Sequence, residues 1–572
     1  MMEGLPQELI DKISSYLPRR DLCNVLTLTG KFRFAAERHC GAFSKFTINE
    51  NNSVDFLARF SSHRLLYLKE VIFRPTFPTL CGPRDNEDDS SDDDQVLCRE
   101  PAHEVYERDE SFTRQIQFLF HILQLVEKQA GEKHAPGRYR LSLYSPIRTV
   151  RAKNACPHRY RTSWRVRLLE AELSPVASIR SFEIYNNYGN ESFAPYLHID
   201  RSGKQEFKLD LRVLIDLAIR MPNLEYLGFR TGGYEWCESF NPEMNTCIEH
   251  YEHDWAGPRR DARHDFADAI IRSLDKIPKT LRHASLDFLS PLLRATDIHH
   301  GKPLPDLVGH LTYDPFTSSL GMLCNNLRHL QLRAMIDESL LLTPSKSLTE
   351  LHVSWPRLEI LDIMFHNARP DGTWYFSGPA GQGHVPRGYP VTSASYPPYA
   401  PTELDEDMDY DFLDAPDPRT AFNKQFRVAP TANLTPLLES FAKAAINMPA
   451  LKEAAIWSPL EWSGKDFTGN DIDYWSKTEG EDDDKMLYSL ESLAWGIKYA
   501  EPGRHTDSRS CRRLQWVVGD WHPDGELRSL FQAIGYAKHG GELEEVWTEG
   551  LAYDGGRISG IGHRGEFKRI KA

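Results

Sequence analysis

Apolar residues at the start of the chain recur with a helical period. Leu9, Ile10, Ile13 and Leu17 form one stripe behind Pro6, which suits a first helical turn because its missing N–H would find no intrahelical acceptor there. Pro18 ends the stripe, since the residue before a proline avoids helical dihedrals. Asp21 is placed to cap a second helix carrying Leu22, Val25 and Leu26, Gly30 breaks it, and Phe32, Ala35 and Ala36 predict a third. Further on, a helical stripe that stops at a proline is followed by a leucine-rich strand, three times over. Val213, Leu214, Leu217 and Met221 precede Pro222 and the strand 224–229; the helix 266–277 precedes Pro278 and the strand 281–286; the helix 437–448 precedes Pro449 and the strand 451–456.

Strands with the spacing L-x-x-L-x-L occur again at Leu327, Leu330 and Leu332, and at Leu358, Leu361 and Ile363. Leu348, Leu351 and Val353 fit the spacing but lie too close to the next match to be a separate full repeat. Late candidates are Leu493, Trp495 and Ile497, then Leu514, Trp516 and Val518. At strand alternation the last two apolar residues of each triplet point the same way, so neighbouring strands bury one another as in a leucine-rich solenoid. Successive strands are separated by roughly 20 to 90 residues, against about 20–29 in regular leucine-rich repeats. The expected fold is therefore α/β: an irregular leucine-rich-repeat-like solenoid with long insertions. A general α/β domain whose strands begin with leucine is the alternative, and the in-phase recurrence favours the array. Between residues 44 and 199 the pattern predicts strands at 46–48, 66–73, 140–144 and 179–185. It also predicts a helix capped by Ser111 that buries Ile116, Leu119, Phe120, Leu123 and Val126.

Read in order, the first forty residues hold Leu5-Pro6, Glu8-Leu9, Leu17-Pro18, Asp21-Leu22 and Lys31-Phe32-Arg33. This ordered set resembles an F-box, a three-helix module that docks a substrate receptor onto a Skp-type adaptor. Phe32 and Phe34 stand where many F-boxes carry a tryptophan. With the leucine-rich remainder, the chain resembles F-box proteins of filamentous fungi. The resemblance implies a substrate-receptor subunit of an SCF-type cullin–RING ubiquitin ligase. Its adaptor contacts would be drawn from Leu5, Pro6, Leu9, Ile10, Ile13, Leu17 and Leu22, and an unknown target protein would be held by the repeat-like region. Catalysis would belong to the partners, so this chain is expected not to be an enzyme. A module of about 40 residues is near the lower limit for independent folding, which agrees with apolar surface left for a partner. Two alternatives stand beside this reading: an adaptor-binding scaffold outside a ligase, or a protein-interaction module without a ligase role, whose N-terminal hairpin only resembles an F-box.

Composition narrows the function further. The 572 residues are 40% hydrophobic, enough for a sizeable core, and the net charge of −14 lacks the basic footprint of a general nucleic-acid binder. Arg138 to Arg167, interleaved with Tyr139, Tyr144, Tyr160 and Trp164, is the one basic–aromatic stretch; it reads more simply as solvated strand faces. Nine scattered cysteines, no apolar run of membrane-spanning length and no signal peptide point to the cytoplasm, the nucleus or both. Cys237, Cys247, His250 and His253 do not have the spacing of a common zinc finger, so no metal or cofactor is expected. Gly560-Ile561-Gly562-His563-Arg564-Gly565 matches a dinucleotide fingerprint by letters but has no room for the helix that must follow. Acidic runs at 85–94, 403–417 and 479–484 predict solvated loops, and Ser90 and Ser91, followed by acidic residues, are candidate phosphorylation sites. The expected layout is an F-box at 1–43, the opening of the array at 44–199 with an acidic loop at 82–110, the repeat-like region at 200–550 with a disordered insert at 368–430, and a flexible tail at 551–572.

Overall fold

A computed structural model describes residues 5–60, 63–80, 99–131, 138–150, 164–187, 204–232, 256–289, 303–343, 351–352, 355–377, 384–403, 405, 429–461, 492–504, 511–518 and 521–547. The phosphorylation candidates Ser90 and Ser91, the Cys237–His253 cluster, the expected tail and most of the acidic runs lie outside these residues.

Three short helices open the chain: α1 (Gln7–Ser15), α2 (Arg19–Val25) and α3 (Gly30–His39). Pro6 is the N-cap of α1, and its carbonyl accepts from the Leu9 and Ile10 amides. Pro18, not Asp21, caps α2; the extended ψ of 156° at Pro18 starts the helix early and leaves Asp21 in its first turn. Gly30 begins α3 rather than merely ending α2, with Thr29 accepting from the Phe32 amide at 3.4 Å.

The body is a sheet of twelve strands whose spatial order is their chain order. They are β1 (Lys45–Ile48), β2 (Glu70–Phe73), β3 (Tyr139–Tyr144), β4 (Ile179–Tyr185), β5 (Tyr226–Arg230), β6 (His283–Asp287), β7 (His329–Ala334), β8 (Ile360–Phe365), β9 (Glu453–Glu461), β10 (Ser492–Ala500), β11 (Arg512–Val517) and β12 (Leu543–Trp547). The first nine are parallel. β10 and β11 join antiparallel, and β12 returns parallel to β11. Parallel neighbours need a crossover. Helices supply several: α4 (Ser53–Phe60), α5 (Ala102–Ala130), α6 (Val213–Ala218), α7 (Ala256–Ser273), α8 (Pro315–Leu323) and α9 (Leu434–Ile446).

Register explains why the sheet holds together. Ile48, Phe73, Leu143, Ile184, Phe229, Leu286, Leu332, Ile363, Ile456, Ile497 and Trp516 stand side by side in one file across eleven strands, each buried. A second file, two residues earlier, runs Val71, Leu141, Phe182, Leu227, Ala284, Leu330, Leu361 and Ala454. Both files belong to the same core as the inward faces of the helices. The residues between them face the other way and are mostly polar: Ser142, Glu183, Ser285, Gln331, Asp362 and Lys498. Gly228 lies in that polar file because a Cβ there would sit 2.5 Å from Cγ of Glu183 on the adjacent strand.

Three expected boundaries move. The helix expected from Ser111 begins at Ala102, so the loop expected at 82–110 ends earlier. Residues 351–352 pair antiparallel with 342–343 outside the main sheet. The insert expected to be disordered over 368–430 contains packed chain: Ala368, Trp374, Tyr375 and Phe376 are buried, and 384–403, with Asp405, lies as a strap against distant parts of the molecule.

Candidate functional site

The three N-terminal helices pack on a very small core. Ile10, Phe32 and Ala35 are buried together, with Leu5 and Val25 against them. Polar contacts clamp α1 to α3: Lys31 Nζ donates to the Leu5 carbonyl at 2.9 Å, Gln7 Nε2 to the Lys31 carbonyl at 3.1 Å, and Arg38 to Asp11 at 3.2 Å.

This packing divides the seven expected adaptor contacts. Ile10 and Leu22 are interior, at 0% and 3% exposure, so they support the fold rather than offer a surface. Leu5 and Leu17 are half-buried, and Pro6 is exposed. Leu9 and Ile13, four residues apart on α1, are 49% and 45% exposed. Residues at this spacing share one helix face. Tyr16, at 77% exposure, stands three residues after Ile13, and Leu28 and Phe34 are also exposed. These last three were not among the expected contacts. Their signal in the sequence was weak, because an aromatic or leucine between two short helices is equally suited to their interface.

Glu37 fastens the unit to the body. It is 3% exposed and sits on α3. Arg64 donates to both its oxygens, at 2.6 and 3.2 Å, while His63 lies at 3.1 Å and Arg33 at 3.2 Å. Burial alone would raise the Glu37 pKa, but the hydrogen bonds from Arg64, His63 and Arg33 outweigh it and bring it down to about 2. Arg64 also lies 4.6 Å over the Phe43 ring, and Phe34 meets His63 edge-on at 4.6 Å.

The second candidate surface is the polar side of the sheet. At the strand starts, Glu70, Arg140, Ser181, Tyr226, His283 and His329 stand in register. Most are half-buried. The His283 and His329 rings meet at 4.8 Å; burial holds both below the usual imidazole range, and for His283 the second imidazole adds to it. Ion pairs continue the row: Lys452–Glu359 at 2.6 Å and Lys498–Glu453 at 2.6 Å.

The strap crosses other parts of the body. Tyr389–Pro390 pairs parallel with Pro305–Asp306, and Arg387 pairs with Asp306 at 2.6 Å. The Tyr396 hydroxyl donates to Asp261 at 2.9 Å and accepts from Arg260 at 2.7 Å. Tyr399 stacks on Trp164 at 4.9 Å. Asp405, fully buried, pairs with Arg99 at 2.6 Å. Sequence reading missed this segment; its tyrosines at 389, 396 and 399 were the available signal.

In the basic–aromatic stretch the half-buried Tyr144 and Trp164 already stack within the chain, on Tyr185 at 5.3 Å and on Tyr399 at 4.9 Å. Tyr139 is buried and accepts from Ser178 at 2.8 Å, Arg148 pairs with Glu104 at 2.8 Å, and Arg165 is buried. Among the described residues, no cluster of three or more His, Cys, Asp or Glu has metal-site geometry, and no helix is long and apolar enough to cross a membrane. No protein-family model matches this chain, and no curated protein matches it.

Proposed function

We propose that this chain is the substrate-receptor subunit of an SCF-type cullin–RING ligase, with the N-terminal unit docking a Skp-type adaptor and the repeat-like sheet carrying a target. The observation that carries this reading is the apolar face of Leu9, Ile13 and Tyr16, left outside a three-helix unit whose own core is minimal. Covering such a face is favourable by about 25 cal/mol per Å² of apolar surface. Strands added one by one in chain order, each burying its leucines against the next, support the leucine-rich-repeat-like reading of the body. Its half-buried polar rim offers hydrogen-bonding and charged groups to a target. The mechanism is proximity: holding target and charged conjugating enzyme in one assembly raises the effective concentration of the target lysine.

Pull-down of purified adaptor by the full chain tests the reading. The wild type binds, and Leu9→Ala/Ile13→Ala loses at least about tenfold in affinity, or about 1.4 kcal/mol. A wild-type chain that does not retain adaptor overturns the F-box assignment. Adaptor binding without cullin recruitment selects the scaffold alternative.

A further inference from the structure

The sheet carries a second, smaller apolar cluster on the face opposite the main core. Met364 of β8, Trp457 of β9 and Val517 of β11 alternate with Ile363, Ile456 and Trp516 of the main file, so they point the other way. They are buried in one cluster with Leu304 and Leu307, and Tyr389 and Val391 of the strap pack against it. The seat beneath the strap is deep: Leu304, Asp306 and Leu307 are 5%, 6% and 1% exposed. Its occupant is shallow. Every residue from 384 to 394 is exposed or half-buried, and the Arg387 side chain is 52% exposed.

The seat selects its occupant at three adjacent positions. Tyr389 and Pro390 pair parallel with Pro305 and Asp306, as a short added strand. The Gly388 amide donates to the Asp371 carbonyl at 2.8 Å, and the Tyr389 amide to the Leu304 carbonyl at 2.9 Å. Arg387 Nε donates to Asp306 Oδ2 at 2.6 Å, and the Gly309 carbonyl accepts from the same guanidinium. Asp306 is held for this by the Val308 and Gly309 amides, each donating to Oδ1 at 3.1 Å. Between the arginine and the tyrosine only glycine fits. A Cβ at Gly388 would sit 2.5 Å from the Leu304 carbonyl oxygen and 2.8 Å from the Asp306 nitrogen. On the facing side Gly372, with φ of +79°, is equally bare, and a Cβ there would strike Gly388 Cα. Main-chain pairing gives affinity without sequence preference, whereas the carboxylate, the glycine contact and the apolar patch each choose a side chain.

We propose that residues 387–391 are a built-in occupant of a peptide groove on the body, and that this groove takes from a target an extended segment reading basic residue, glycine, aromatic residue. Such a segment replaces Arg387-Gly388-Tyr389 at Asp306, at Gly372 and at the apolar patch. A half-exposed ion pair holds Arg387 only weakly, so this part of the strap gives way to a competitor. The far end is anchored separately, by fully buried Asp405 on Arg99, a pair that is costly to break. Lifting 387–391 therefore leaves the strap tethered, and as a tethered competitor it sets the affinity that a target must exceed. The inference rests on the reading that the body carries a target, but not on adaptor binding.

Fluorescence anisotropy with a labelled peptide of residues 384–394 tests it on the full chain. Arg387→Ala/Tyr389→Ala empties the seat, and this variant is expected to bind the peptide saturably, at least about tenfold tighter than the wild type. A peptide carrying Gly388→Ala loses at least about tenfold, as does Asp306→Asn added to the strap variant. The asparagine keeps the Oδ1 acceptor for Val308 and removes only the charge. No saturable binding by the folded strap variant, affinity equal to that of the wild type, or a Gly388→Ala peptide that binds as well as its parent overturns the proposal. The wild type gives a check that needs no variant: excess unlabelled peptide speeds hydrogen exchange at the 388 and 389 amides. Unchanged exchange there means a fixed strap and overturns the proposal too. Neither assay contains adaptor. A chain that takes the peptide but not adaptor loses the ligase reading and keeps the groove, whereas one that retains adaptor but not the peptide loses the groove alone.

Discussion

The two ends of this molecule solve the burial problem in opposite ways. In the sheet, register places one apolar residue of each strand beside the next, so that Leu286, Leu332 and Ile363 are each covered from both sides and by the helices above. In the N-terminal unit, three short helices gather Ile10, Phe32 and Ala35 into a core and leave Leu9, Ile13 and Tyr16 outside. The sheet spends its leucines on itself, whereas the helical unit holds some in reserve. Exposed apolar residues gathered on one short helix mark a contact surface more often than scattered single ones do. That contrast, more than the presence of helices, is what supports the proposed docking role of the N-terminal unit.

The sharpest way to break the comparison is to cut into the shared file. Leu332, 1% exposed in mid-sheet, loses transfer energy and leaves a cavity when it becomes alanine. Leu332→Ala is expected to cost about 2–5 kcal/mol, read as a lower urea midpoint for the body. A loss below about 1 kcal/mol would mean that the file is not the frame of the fold. Ile10→Ala comes next, at about 2–4 kcal/mol, but it acts locally. Hydrogen exchange should rise across 7–39 while the amides of β3 to β9 keep their protection. A uniform rise over the whole chain would show that the unit and the sheet unfold as one.

How much of this was legible in the sequence follows from the range of the interactions involved. The three helices and most sheet strands were readable because helical stripes and strand alternation are local. The leucine triplets at 327–332 and 358–363 mark β7 and β8 closely, since the same residues that make the pattern make the file. The start of α5 was not readable. Glu104, Glu107, Asp109 and Glu110 look like solvated loop, yet Glu104 is met by Arg148, 44 residues away. The strap was misread for the same reason. Its composition is that of a loop, and it is held by Arg99–Asp405, across 306 residues, and by Trp164–Tyr399. At the N-terminal unit the sequence supplied the seven proposed contact candidates. It did not separate Ile10 and Leu22 from Leu9 and Ile13, because a helical stripe wide enough to face two ways has no marker for which side is covered.

The joint between the two regions gives a smaller, pH-dependent effect. In the folded chain Glu37 titrates at about 2, below its ordinary 4.5. A depressed carboxylate contributes stability above the unfolded value and loses it as pH falls through the folded one. The attachment of α3 to the segment 63–67 is therefore intact above about pH 4.5 and weakens between there and about pH 2. With half-exposed Arg33 screened by solvent, the expected contribution is about 2 kcal/mol. Exchange of the 30–39 amides, followed from pH 6 to pH 2, should show a step in the wild type. Glu37→Gln should flatten it and start from the weakened level. A step that survives Glu37→Gln would assign it to other carboxylates.

The smallest stability effect is the most telling. Leu9 and Ile13 are about half exposed, so replacing both with alanine removes little buried area, and the expected change in stability is within about 0.5 kcal/mol. The same double variant is expected to lose adaptor binding, since a partner would bury the surface that the unit leaves open. Leu332→Ala should do the reverse, destabilising the body while the unit still binds, provided the assay is run below the unfolding midpoint. The two variants together form a double dissociation that a purely structural role for α1 does not produce. If Leu9→Ala/Ile13→Ala instead destabilises the chain by as much as Ile10→Ala, the exposed stripe is part of the fold. The contrast between a self-satisfied sheet and a helical unit with apolar surface in reserve would then be lost.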